Sequence, residues 1–303
     1  MKYFRSLLLF LSVAPFIINA QTIEFSLKAS GNVIDVVITD DLLYAATDNG
    51  SVDVFNIKER KIIRRIKVPG LKDFMGDDIQ AKVFSVDVSE DGKKVILVYQ
   101  GKGGFRNVAI YENNELRKII DADTDKMMIK KAKLINNSHL LIGQLSNEIV
   151  LFNIENRTVI YKKQISTSSF SDFVLSKDKS KFITTDESGK VRLIASGDGK
   201  LIKEYSGNNV DNIYKLDYKN DIIIGGGQDR RVAIYNTQID DRYYIQNDFL
   251  VYCVGLSPDG QLGAYSANED NDVVIFNTLN KTDLFTLKGQ VSTLTGICFI
   301  SNE

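Results

Sequence analysis

The 303-residue chain has no tryptophan, one histidine, two cysteines and three prolines. Each scarcity excludes something. Two cysteines, Cys253 and Cys298, cannot build a disulfide framework. When "VYCVGLS" and "TGICFIS" are aligned on their serines, the thiols fall on opposite parity and so on opposite sheet faces. A bridge needs facing Cβ atoms, so two separate core thiols are expected. His139, in "NNSHLLIG", has no companions for a catalytic triad or a histidine-ligated zinc site, and reads as a turn residue. No Cys-x-x-Cys-His is present to attach haem.

Long apolar runs are also scarce. The one run, Leu7 to Ile18, follows Lys2 and Arg5 and precedes the small residue Ala20. It is short for a bilayer span and has the order of a secretory leader, with cleavage expected before Gln21. Residues 1–20 are therefore expected to be a signal peptide and 21–303 one exported domain with no stable membrane insertion. Gln at position 21 leaves no lipid-attachment cysteine. The short leader and the Lys/Ile/Asn-rich composition point to a bacterium, and with the leader to the periplasm.

Positive charge is not in excess. There are 38 basic and 39 acidic residues, and loss of Lys2 and Arg5 would deepen the deficit. A nucleic-acid surface needs clustered cations to displace counterions, so none is expected. The densest basic run, "RKIIRRIKV" (60–68), reads as a solvated outer strand.

What is abundant is a repeat. "VDVFNIKERKIIRRI", "VAIYENNELRKII", "IVLFNIENRTVIY", "VRLIASGDGKLIKEY", "VAIYNTQIDDRYYI" and "VVIFNTLNKTDLFTL" each read as strand, polar turn, strand. Four of the strands end in an aromatic and Asn: Phe55-Asn56, Phe152-Asn153, Tyr235-Asn236 and Phe276-Asn277. Upstream lie hairpins such as "VFSVDVSEDGKKVILVY" and "VYCVGLSPDGQLGAYSA", whose Asp-Gly turns mark two antiparallel strands. Four strands recurring every ~40 to 50 residues specify an all-β β-propeller of four-stranded antiparallel blades. Complete units span 33–68, 81–120, 129–166, 170–206, 210–247 and 250–288.

Two pieces are left over. "TIEFSLKA" (22–29) reads as an outermost strand and "TGICFIS" (295–301) as an innermost one, together an incomplete seventh blade. Against the repeat length about 25 residues are wanting, so the chain is either a truncated copy, the favoured reading, or a propeller of unusual closure. The units resemble degenerate WD-repeat or YncE-like bacterial propeller blades, best in "LSPDGQLGAYSANEDNDVVIFN" (256–277). Phe-Asn or Tyr-Asn stands where the family has Trp-Asp, and Gly-His is missing, so the family's structural hydrogen-bond network is not carried over.

Candidate chemistry is thin. "IIIGGGQDRRVAIY" runs into a strand where a dinucleotide fingerprint needs a helix, and "YQGKGGFRN" has no Ser or Thr after Lys102. "DADTDKMM" spaces Asp121, Asp123 and Asp125 like a calcium loop, but Lys126 and Ala132 replace the required Gly and Glu. No catalytic residue, metal site or cofactor is expected.

Loop length is more telling. "PGLKDFMGDDIQAK" (69–82) is the longest inter-blade link and "YQGKGGFRN" (99–107) the longest internal turn. In a propeller both emerge on one face, beside "DADTD". They carry Phe74, Met75, Asp77, Asp78, Lys102, Phe105 and Arg106, and aromatic, Met and Arg residues favour interface centres. Phe74 and Phe105 are expected as anchors, Arg106 as the partner of a carboxylate, and Asp77 and Asp78 as the polar rim. The expected function is a non-enzymatic protein-interaction scaffold in the periplasm. The overall pattern is similar to the NapL family of accessory proteins of periplasmic nitrate reductases, which would make nitrate reductase components the partners. An enzyme of lactonase or quinoprotein type, or a cell-envelope assembly scaffold, are the alternatives. Quinoprotein blades are rich in tryptophan, which this chain lacks.

Overall fold

The computed structural model describes residues 20–302. Apart from Ala20, the expected leader lies outside the described residues. The elements alternate strand and turn throughout. A short β1 (Ala20–Thr22) is followed by the first blade, β2 (Val33–Thr39), β3 (Leu42–Thr47), β4 (Ser51–Asn56) and β5 (Lys61–Lys67). A small hairpin comes next, β6 (Leu71–Lys72) and β7 (Asp78–Ile79). Blade two is β8 (Val83–Val88), β9 (Val95–Gln100), β10 (Arg106–Glu112) and β11 (Glu115–Ile120), and blade three β12 (Ile129–Asn136), β13 (His139–Gln144), β14 (Glu148–Asn153) and β15 (Thr158–Gln164). Blade four is β16 (Phe170–Leu175), β17 (Lys181–Asp186), β18 (Val191–Ala195) and β19 (Leu201–Tyr205). Blade five is β20 (Ile213–Lys219), β21 (Ile222–Gly227), β22 (Arg231–Asn236) and β23 (Arg242–Gln246); blade six is β24 (Val254–Leu256), β25 (Leu262–Ser266), β26 (Val273–Asn277) and β27 (Asp283–Lys288). Each blade is an antiparallel meander, and the six expected units coincide with the six blades.

The repeated sequence signals have repeated physical causes. The aromatic of each aromatic–Asn pair is buried: Phe55, Phe152, Tyr235 and Phe276. The Asn beside it caps the following turn. Asn56 Oδ1 accepts from the Glu59 amide at 2.8 Å, Asn153 from Glu155 at 2.9 Å, Asn236 from Gln238 at 3.0 Å and Asn277 from Leu279 at 2.9 Å. This is the Asx-turn chemistry for which Asn is suited. The Ser-x-Asp turns are equally alike: Ser89, Ser176 and Ser257 each donate to the Asp two residues on, at 2.6 Å.

Apolar surface is buried between blades, in one cluster per junction. Val52 and Val86 belong to the cluster of blades one and two, Ile110 and Leu140 to two and three, Ile149 and Phe173 to three and four. Ile183 and Ile223 belong to blades four and five, Ile224 and Leu256 to five and six. The face of blade six turned away from blade five is covered differently. Ala264, Val273 and Ile275 are packed by Leu294, Ile297 and Phe299 of the C-terminal segment.

The two terminal pieces depart from expectation in detail. Residues 22–29 do not form an outermost strand of a separate blade; only Ala20–Thr22 is strand, added parallel to β27 as a fifth strand of sheet six. Residues 295–301 are not a strand either. They lie along the central channel as an irregular segment, with the backbone of Ile297 close against Gly255. The strand reading followed their apolar pattern, but among the described residues they join no ladder, and side-chain packing on blade six places them instead. Both cysteines are free thiols; Cys253 is in the core, whereas Cys298 is exposed, so the second is not the core thiol expected.

Candidate functional site: the channel mouth and the loops beside it

Five of the six innermost strands carry an irregularity at the same place. The pairing of the first two strands shifts between Val33 and Asp35, Val83 and Ser85, Ile129 and Lys131, Phe170 and Asp172, and Ile213 and Lys215. A bulge of this kind inserts one residue and re-aims its neighbours. The inserted residues Ile34, Phe84, Lys130 and Ser171 line the mouth of the central channel, together with Asp35, Lys131, Asp172 and Lys215. Two residues deeper come Asp87, Lys133 and Asp217.

These polar side chains stitch one blade to the next. Asp35 accepts from the Val86 amide at 3.0 Å, Asp87 from Leu134 at 2.7 Å, Asp172 from Leu216 at 3.1 Å and Asp217 from Leu256 at 2.9 Å. Blade three supplies lysines instead. Lys131 Nζ lies 2.7 Å from Asp172, and Lys133 Nζ is 2.8 Å from the Val86 carbonyl. Burial alone would raise the Asp172 carboxyl. The charges of Lys131 and Lys215 and the Leu216 amide outweigh it and hold Asp172 below the usual carboxylate range. Burial opposes the Lys131 ammonium in turn, but Asp172 and Asp35 keep it above the usual lysine range.

Arg106 joins the mouth from the long internal turn. Its guanidinium carbon lies 3.9 Å from the Phe84 ring centroid, and Nη1 donates to the Gly104 carbonyl at 2.6 Å and Phe105 at 3.3 Å. Nε is buried with no hydrogen-bond partner. Burial pulls its pKa down, but arginine stays charged.

The other expected contact residues point elsewhere. Asp73 Oδ1 accepts from the Met75 amide at 2.8 Å and from Asp77 at 2.9 Å, fixing the tip of the β6–β7 hairpin. That tip holds Phe74 97% exposed and Met75 74% exposed. Asp77 is exposed, and Asp78 pairs with Lys72 at 2.9 Å, an exposed contact of little energetic weight. Lys102 sits exposed in a 3-10 turn, Lys102–Gly104. Phe105 is half-buried after that turn, whose Gly103 has φ 61° and Gly104 φ 85°. The base of the hairpin, the Lys102 turn and the 121–123 link do converge: Leu71, Lys72, Gln100, Lys102, Asp121 and Asp123 line one cleft of about 300 Å³.

The acidic link uses its carboxylates on itself. Asp121 bonds Lys118 and the Asp123 amide, and Asp125 accepts from the Asp121 amide. Among the described residues no group of three or more His, Cys, Asp or Glu could hold a metal ion. His139 opens β13 and bonds Asn136 at 3.0 Å. The channel ring went unread in the sequence. Its signal was a charged residue at the centre of an otherwise apolar inner strand, as in "VIDVV", "FSDFVL" and "IYKLDY".

Six four-stranded antiparallel blades, five of them bulged at the inner strand, define a WD-repeat-like β-propeller. No family model matches the chain. It is similar to eukaryotic translation initiation factor 3 subunit I of Kluyveromyces lactis, 24% identical over 219 residues, covering 67% of this chain and 60% of that protein. The subunit I of Neurospora crassa is 23% identical over 207 residues, covering 64% and 57%. The chain thus spans about three fifths of the length of these relatives. Among solved structures, the β-propeller domain of Cps50 (Swd1) from Myceliophteria thermophila aligns with a TM-score of 0.71 at 13% identity, over 90% of this chain and 91% of that one. That likeness concerns the fold alone.

Proposed function

We propose that the chain is a non-enzymatic protein-interaction scaffold of the periplasm, and that it serves as an accessory factor of periplasmic nitrate reduction. The scaffold reading rests on Phe74. A structured turn holds this aromatic 97% exposed at a hairpin tip, where it does no work for the fold. Leaving a large apolar side chain in water is unfavourable, and burying it in a partner recovers that energy. Met75 extends the apolar tip, with Asp77 and Asp78 as its polar rim and Phe105 and Arg106 on the neighbouring loop as further contacts. Export rests on the leader-like residues 1–20, and the nitrate reductase partner on the resemblance of overall pattern.

The relatives favour a second reading, in which the propeller is a subunit of a translation initiation factor. Cell fractionation separates the two. Export predicts release by osmotic shock, with a mature chain beginning near Gln21, and direct binding to purified periplasmic nitrate reductase that Phe74→Ala weakens. Retention in the cytoplasm with ribosomal particles would overturn the periplasmic reading and support the second.

A further inference from the structure

We propose that the channel mouth is a binding site for a carboxylate carried on a short apolar stem. The mouth is a cavity of about 280 Å³. Four cations face it, Arg106, Lys130, Lys131 and Lys215, against two carboxylates, Asp35 and Asp172. This local excess of positive charge stands on a chain whose net charge is −1. Lys131 is already paired with Asp172. Arg106, Lys130 and Lys215 have no ion-pair partner within 4.0 Å among the described residues. Lys130 donates only a long hydrogen bond, 3.3 Å, to the Phe170 carbonyl. Desolvation in the mouth, and then Lys215 and Lys131 against the pull of Asp172, hold its ammonium below the usual lysine range.

The anion class follows from the walls. Arg106 is braced by its stack on Phe84 and by its bonds from Nη1 to backbone carbonyls, so its orientation is set before a ligand arrives. Its Nε donor is unmet. A guanidinium with donors to spare matches the two oxygens of a carboxylate. Ile34, Phe84, Ile129 and Leu145 supply an apolar wall that suits a hydrocarbon stem and offers nothing to inorganic phosphate. The volume is at the small end for ligand sites, which limits the occupant to a few carbons. A free short-chain dicarboxylate and a glutamate side chain of a protein partner share this chemistry. The proposal needs neither export nor the Phe74 contact.

Calorimetric titration at low ionic strength with glutarate, a blocked Gly-Glu-Gly peptide and the neutral glutaramide tests it. Glutarate or the peptide is expected to bind, glutaramide not, and added salt to weaken the binding. Binding of glutarate would mark a free small acid as ligand, and binding of the peptide alone a partner's glutamate. Arg106→Gln and, separately, Lys215→Met should each weaken binding about tenfold, the value of one charged contact. Near-ultraviolet circular dichroism of each variant checks that the channel is intact. Absence of binding by both acids, equal binding of glutaramide, or undiminished affinity in both folded variants would overturn the proposal.

Discussion

The Lys131 ammonium lies 2.7 Å from one carboxylate oxygen of Asp172, while the other oxygen of Asp172 accepts the Leu216 amide at 3.1 Å. One acid thus joins blades three, four and five. Both side chains are largely withdrawn from water, 15% and 4% exposed. Removing one partner of such a pair strands a buried charge, at a cost of about 3–5 kcal/mol. Asp172→Ala should therefore lower thermal stability sharply. Adding Lys131→Met should restore much of the loss, because the stranded ammonium goes with it. Additive losses in a double-mutant cycle would refute the coupling.

Acid should loosen the ring. Asp53 and Asp186 are held below the usual carboxylate range against the effect of burial, Asp53 by Arg65, Ser30 and Ser51, Asp186 by Ser166, Ser188 and Arg192. Asp172 is depressed too. A depressed carboxyl adds stability that is present above its unfolded value, about 3.9, and lost as pH falls through the folded value. Lys131 is the opposite case: its contribution holds below the unfolded lysine value and fades as pH rises through the raised folded one. Melting temperature should be nearly level from pH 7 to about 5, then fall below about pH 4. A melting temperature that rises between pH 5 and 3 would contradict this.

Gly143 lies under the Phe170 ring, and a Cβ added there would sit 2.6 Å from Phe170 Cζ. An alanine gains about 0.5–1 kcal/mol in strand preference. Pushing a buried ring out of place costs about 1–3 kcal/mol. The steric cost wins, so Gly143→Ala should destabilise in chemical denaturation. Pairing it with Phe170→Leu should recover part of the loss.

The two thiols should behave differently. Burial pushes the Cys253 thiol up to about 11, and it is closed off from solvent. Cys298 is exposed, although burial of its sulfur along the channel raises its pKa as well. A thiol reagent at pH 8 should modify Cys298 slowly in the native protein and Cys253 only after unfolding. Equal reactivity in the native state would mean that blade six opens.

Much of the fold was legible because each blade repeats the same local chemistry. Asp-Gly turns, aromatic–Asn strand ends and strict alternation occur together, and all six blade limits follow from them. The ends were not legible. "TGICFIS" has the alternation of a strand, but pairing is decided by a partner that sequence alone does not supply. Of the candidate residues, exposure at Phe74 and Met75 follows from the length of their loop. The inward turn of Arg106 does not, because it depends on the position of Phe84, which a bulge in β8 sets. The charged ring escaped for the same reason: a bulge shifts the parity that strand reading relies on.

The scaffold account is tested most directly at Phe74. A photoreactive phenylalanine analogue placed there, with a control at exposed Val159 on the outer strand β15, reports what touches each place in the cell. The account predicts a discrete adduct with a nitrate reductase component from position 74 and none from 159. It also predicts that Phe74→Ala leaves the melting temperature unchanged while costing about 2 kcal/mol of binding, roughly thirty-fold in affinity. No adduct at 74, or full affinity in the alanine variant, would contradict it.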